Sequence, residues 1–159
     1  MNNEQRTVGL GLTWEKLSLG RKFRAVGRTI TEADLLNFIV PTDMVEVLFT
    51  TFGPNGDEDI KGRLVPPAMS YFFAEGLLIQ PTVQGVGLDL LDMKLKVKGP
   101  TLVGDTNYVE VEEIKCRQSK SPGTGLVRTR NSIVNQDGSV CIKYTPLRML
   151  CGVGMLGGS

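Results

Sequence analysis

Two carboxylates three residues apart, Asp43 and Glu46, form the first chemically suggestive pair in the chain. Neighbouring carboxyls can share a proton, one of them held neutral by burial or mutual repulsion, which makes the pair a candidate acid and base. The same Asp-x-x-Glu spacing is equally a capping box that starts a short helix. Glu75 is a second candidate, a lone acid inside the most apolar stretch of the sequence. A buried carboxylate there must reach solvent, a partner or a subunit interface. Arg63 stands just before that stretch, and its planar fork suits phosphate. No histidine occurs anywhere. That excludes Ser-His-Asp and Cys-His catalysis, imidazole acid–base chemistry and His-ligated metals. Cys116, Cys141 and Cys151 are an odd number without metal-site spacing or an adjacent base, so they suit a reducing cytoplasm, and no metal or cofactor is expected. Gly85 and Gly87 lack the strand-loop-helix setting of a phosphate loop.

The scaffold for these residues is bounded by 159 residues and 17.4 kDa, enough for one domain over 1–159 with an ordered core of about 12–150. Hydrophobic residues at 41% are too many for a disordered chain. A net charge of +1 gives no electrostatic basis for general nucleic-acid or anionic-membrane binding. The apolar runs Ala68–Ala74 and Leu77–Ile79 are too short to span a bilayer, and the polar start lacks the apolar centre of a signal peptide, so a cytoplasmic location is expected.

The first half reads as helical and the second as strands, the pattern of an α+β domain. Thr31-Glu32-Ala33-Asp34 opens a helix with Thr31 as cap, and Pro41 ends it. A short second helix follows through Val45–Phe49, and Phe52–Gly62 reads as an exposed loop. Pro66-Pro67 opens a third helix, Ala68–Gln80, apolar nearly all round and therefore buried on most sides, with Pro81 closing it. Met93, Leu95 and Val97 alternate with lysines, and Val109 and Val111 with glutamates. A phase shift at Glu113-Ile114 predicts a bulge. Val127, Thr129, Asn131 and Ile133 make a further strand, and Asn135–Gly138 is a hairpin turn leading to Val140, Ile142 and Tyr144. Cys116 and Cys141 pack in these strands as small hydrophobes, and the strand cations form a solvated outer face. The tail Gly152–Ser159 is expected to be mobile. The arrangement is an antiparallel sheet curled around one buried helix.

That arrangement is the hot-dog fold, and several segments resemble the MaoC-like dehydratases, which include (R)-specific enoyl-CoA hydratases. Gly27–Asp34 is similar to the family's entry into its first helix, and Gly62-Arg63-Leu64-Val65 to the approach to its central helix. Lys98–Thr106 resembles its P-V-x-x-G-D-T turn, and Val134–Gly138 its last hairpin. The resemblance implies hydration of a trans-2-enoyl-CoA to a (3R)-hydroxyacyl-CoA, or the reverse, on a coenzyme A or acyl-carrier thioester. In the family's G-D-x-N-P-x-H segment, Asp and His hold the water. Here Asp43 stands at the acid position, Val45 and Glu46 at Asn and Pro, and Leu48 at the histidine. Pro66 and Pro67 replace the H-G pair whose glycine N–H binds the thioester carbonyl, leaving Ala68 and Met69 as first-turn donors. By the same resemblance the acyl chain lies along Met44, Leu48, Phe49, Met69 and Phe72, and Arg63 is the cation to meet coenzyme A phosphates. A homodimer or higher oligomer is implied, as the family's sites lie at subunit interfaces. Three alternatives stand beside this: a thioesterase using Glu75, a non-catalytic subunit paired with a histidine-bearing relative, and a thioester-binding module without chemistry.

Overall fold

In the computed structural model, which describes residues 8–51 and 62–156, the strands are β1 Lys22–Arg24, β2 Arg28–Thr29, β3 Gly87–Val97, β4 Thr106–Gln118, β5 Thr124–Val134 and β6 Val140–Cys151. The helices are α1 Glu32–Ile39, α2 Val47–Thr50 and α3 Pro67–Leu78. The sheet runs in the order β1-β4-β5-β6-β3, antiparallel throughout, with β2 also on β4. Its twofold alternation buries Val109, Val111, Val127, Ile133, Ile142 and Tyr144. Ala74 and Leu78 of α3 pack into that layer, so the sheet curls around the helix in an α+β hot-dog fold. Pairing slips between Glu113 and Lys115, which makes Ile114 the predicted bulge. A second slip beyond Ile133 buries Cys141, leaving Val140 half-buried. The Asn135–Gly138 turn forms as expected, with Gly138 at φ +79 and the Asn135 side chain accepting from the Asp137 and Ser139 amides.

Five details differ from the sequence reading. α3 is not ended by Pro81. The chain continues as a wider π turn, Ile79–Val83, in which the Gln84 amide bonds to the Ile79 carbonyl at 2.7 Å. The wider turn accommodates a proline that has no N–H to offer the normal ladder. Second, α3 buries one stripe, Met69, Ser70, Ala74 and Leu78, and leaves Phe72 61% exposed on the opposite side. Third, Asp43 does not cap α2. The helix starts later, and Glu46 is its N-cap, accepting from the Leu48 amide at 2.7 Å. Fourth, Val97 is 52% exposed, because β3 is an edge strand paired only with β6. Fifth, the chain after Gly152 forms a short 3₁₀ turn, Val153–Met155, pinned by the Glu15 carboxylate on the Val153 amide. Residues 52–61 of the expected loop and 157–159 of the tail lie outside the described residues. No helix among the described residues is long and apolar enough to cross a membrane.

An N-terminal strap, residues 11–21, crosses the end of α3. The Gly11 amide bonds to the Gln84 carbonyl at 2.8 Å, and the Trp14 ring lies so close to Gly125 that a Cβ there would fall 2.1 Å from it. At the other end, α1 is fixed by a complete capping box. The Asp34 carboxylate accepts from the Thr31 amide at 2.9 Å and from Arg28 at 2.8 Å. Burial pushes the Asp34 carboxyl up, but the Thr31 and Arg28 contacts outweigh it and hold the group below its ordinary 3.8. Such a group stabilises the fold above the unfolded-state value, and the contribution is lost as pH falls through the lower folded value. Asp34→Asn should therefore cost about 1 kcal/mol at pH 7 and almost nothing once Asp34 is protonated in both states, as read by denaturant titrations at the two pH values.

Candidate functional site

The segment between α1 and α3 builds a cleft at the leading end of the central helix. After α1, the Met44 amide bonds back to the Ile39 carbonyl, and Asp43 takes φ +54, a left-handed conformation aspartate tolerates better than most residues. This tight reversal lets α2 lie beside the approach to α3. There the Val65 amide bonds to the Thr101 carbonyl and the Val103 amide to the Arg63 carbonyl, each at 2.9 Å. Arg63 joins the three pieces. Its Nε donates to the Phe49 carbonyl at 2.9 Å, its guanidinium pairs with Glu32 of α1, and its side chain is 11% exposed. The resulting cleft has a volume of about 190 Å³. Leu48 and Phe49 form one wall, Leu64, Val65 and Pro67 another, and Val97, Pro100, Thr101 and Ile142 close it against the sheet. Nearly every group on these walls is apolar.

The sequence candidates distribute unevenly around this cleft. Leu48 and Phe49 line it. Asp43 lies on the exposed reversal and Glu46 on the exposed start of α2, where its carboxylate caps the helix; neither is among the lining residues. Met44 is half-buried against the cluster of Ile30, Leu35, Ile39, Val65 and Met69. Met69 itself is 0% exposed and faces that cluster, not the cleft. Its amide donates to the Pro66 carbonyl at 2.9 Å, so of the two first-turn donors only that of Ala68, an exposed residue, has no acceptor within the helix. Phe72 points to the outer side, in ring contact with Phe38 and Tyr71. Arg63 is committed to Glu32 and Phe49.

Glu75 belongs to a different cluster. One oxygen accepts from the Tyr144 hydroxyl at 3.0 Å and the other from Arg148, while the Tyr71 ring meets Tyr144 edge-on with centroids 5.3 Å apart. Burial, then the nearby Glu75 charge, pushes the Tyr144 phenol far above its usual range, so it stays a donor to the carboxylate. Sequence reading missed Tyr144 and Arg148 as partners of Glu75, and Val97, Pro100 and Ile142 as cleft walls. For Tyr144 the one signal was its place on the inward phase of β6. Among the described residues no group of three His, Cys, Asp or Glu side chains could hold a metal ion.

No family model and no curated protein matches the sequence. Solved structures do match the fold. A MaoC domain protein dehydratase of Chloroflexus aurantiacus, described as putative in its own name, superposes with a TM-score of 0.85 at 20% identity, over 94% of this chain and 43% of that one. The unliganded (R)-hydratase PhaJ1 of Pseudomonas aeruginosa gives 0.66 at 20% identity, over 89% and 86%. The chain has the hot-dog fold of the MaoC-like dehydratases and (R)-hydratases. A Mycobacterium tuberculosis protein described as a double hot dog, Rv0216, gives 0.70 at 23% identity, over 89% and 44%. This chain therefore spans less than half the length of the Chloroflexus and Mycobacterium proteins.

The geometry makes Arg63 a brace for the hot-dog cleft, since it ties the carbonyl of the wall residue Phe49 to Glu32 of α1. Arg63→Met should cost about 1–2 kcal/mol in a denaturant titration, and Arg63→Lys should recover little of it, because a point charge cannot serve both partners.

Proposed function

We propose that the chain binds an acyl thioester, of coenzyme A or an acyl-carrier protein, with the acyl chain in the cleft at the start of α3. It would serve a hydratase or dehydratase reaction for which it lacks the full set of acid–base groups. The observation that carries this reading is the cleft itself: an apolar slot at the leading end of the central helix, walled by Leu48 and Phe49. Apolar walls suit a hydrocarbon chain and reject a charged head. Hydration of an enoyl thioester places hydroxyl on C3 and a proton on C2, so a group must take a proton from water while another supplies one to carbon. Asp43 is the one carboxyl of this chain at the position where such water is held in the MaoC-like pattern; Leu48, at the histidine position, can move no proton. The imidazole has to come from elsewhere.

A paired subunit is the source we favour. β3 is a free sheet edge, and Leu88, Leu90, Leu91 and Val97 are exposed along it, a surface that suits pairing with a second hot-dog unit. The double hot dog supports the same arrangement by carrying two such units in one chain. The thioesterase alternative is less favoured, because both Glu75 oxygens are already engaged by Tyr144 and Arg148.

Crotonyl-CoA and a longer enoyl-CoA test the reading directly. The purified chain should melt at higher temperature with either ligand, release no free thiol, and change the enoyl absorbance slowly or not at all. Leu48→His, which puts an imidazole on the cleft wall at the position the MaoC-like pattern gives to histidine, should raise the hydration rate at least about tenfold, toward the 10²–10⁴ range of general acid–base catalysis. Absence of any thermal shift with both ligands sinks the binding claim, and thiol release would return the case to Glu75.

A further inference from the structure

The opposite end of α3 holds a second cavity that shares no lining residue with the thioester cleft. Leu12, Leu17 and Arg21 of the N-terminal strap roof it, Leu78 and the π turn form one side, and the inner face of the sheet forms the floor. The floor is unusual. Where the alternation elsewhere puts Val and Ile, here it puts Glu113 on β4 and Thr129 and Asn131 on β5. Glu113 and Thr129 are register partners, and Asn131 sits one inward step along between Val111 and Tyr144. Asn131 is 0% exposed, and neither its amide oxygen nor its amide nitrogen makes a hydrogen bond of good geometry among the described residues, although the Tyr144 hydroxyl, which donates to Glu75, is close enough to feel the amide; the buried Thr129 hydroxyl has no partner either.

Buried polar groups in folded proteins are paired, and leaving an amide unpaired is costly. Charge and size decide what pairs these. All three charges in the cavity wall are already compensated: Glu113 accepts from the Ser18 amide at 3.1 Å and faces Arg21 at 3.7 Å, and Arg148 pairs with Glu75. An ion would find no uncompensated counter-charge. The amide and the hydroxyl each offer both a donor and an acceptor, so the complementary occupant is neutral and offers both as well. The cavity volume of about 30 Å³ matches a few water molecules, two or three at roughly 10–15 Å³ each.

We propose that this cavity is a built water site, in which one or two water molecules bridge Thr129 Oγ1 and the Asn131 amide and reach toward the Glu113 carboxyl. The bound water joins β5 to the strap-facing carboxylate on β4. It is thus a fastening of the strap over the end of α3, independent of the thioester reading. A crystal structure of the full chain tests it. Density for one or two waters within hydrogen-bonding distance of both Thr129 Oγ1 and the Asn131 amide is the expected result. An empty cavity, or an Asn131 amide turned onto a protein group, overturns the proposal. Thermal melts of Thr129→Val, Asn131→Leu and the double variant provide the second test. Either single change loses the shared water, so the double variant should lose clearly less than the sum of the two shifts in melting temperature. Strict additivity overturns a shared water. Should Asn131→Leu fail to fold, the crystal structure of Thr129→Val decides, with loss of the bridging density expected and its retention contrary to the proposal.

Discussion

A curled antiparallel sheet has an apolar concave face that only a closely seated helix can cover, and the rest of the molecule follows from how α3 meets that demand. The stripe it turns to the interior is Met69, Ser70, Ala74 and Leu78. Two small residues at its middle let the helix axis approach the sheet, while Met69 and Leu78 fill the space at the two ends. A fully buried leucine or methionine contributes about 1.5–3 kcal/mol, so these anchors matter individually against a net stability of only about 5–15 kcal/mol. Ser70 carries a cost, because its hydroxyl is buried without a partner in the chain. Once α3 is seated, its two ends are fixed in space. Its start faces the α1–α2 segment, and its end faces the strap.

Much of this frame was legible because it is written in local periodicities. The twofold alternation of β4 and β5 marks the inner face residue by residue, and the break at Ile114 is visible as one slipped step. The Thr31–Asp34 box is legible for the same reason, since both partners lie within one turn. Local rules fail where two of them compete. Asp43-x-x-Glu46 satisfies the capping-box spacing, yet the left-handed reversal at Asp43 delays the helix by one turn and gives the cap to Glu46. Pro81 reads as a stop, yet a wider turn absorbs it.

The site was legible as a place and not as a set of contacts. Leu48 and Phe49 could be assigned to a cleft through the resemblance to the MaoC-like pattern, and they do line one. The jobs of Arg63 and Glu75 depend on partners 31 and 73 residues away, Glu32 and Arg148, which no spacing rule connects. For Glu75 the apolar setting alone predicted a partner without naming it, whereas Arg63 was expected to meet coenzyme A phosphates and instead pairs with Glu32. In each case the partner is a fixed side chain of the same domain, so charge that looked available for ligand chemistry is used to hold the architecture. Met69 and Phe72 show the converse. The resemblance set both along the acyl chain, but the inward stripe divides them, placing Met69 in the core and Phe72 on the outside.

The two ends of α3 therefore differ in a way that bears on chemistry. At the start, proline occupies the helix opening and leucine the position where an imidazole would act, so the cleft offers a hydrocarbon surface and almost no group able to move a proton. At the far end, a carboxyl, an amide and a hydroxyl are gathered on the inner face of the sheet, and burial raises the Glu113 carboxyl despite Arg21 and the Ser18 amide. Apolar clefts gain by expelling water, whereas buried amides gain by retaining it. The fold thus separates the two kinds of lining along one helix, an apolar cleft at its start and the polar groups of β4 and β5 at its end. Catalytic hydration needs the opposite, a polar and water-holding group inside the acyl slot. On the proposed reading, that contrast is the physical reason to look for an acid–base group on a second subunit and not within this one.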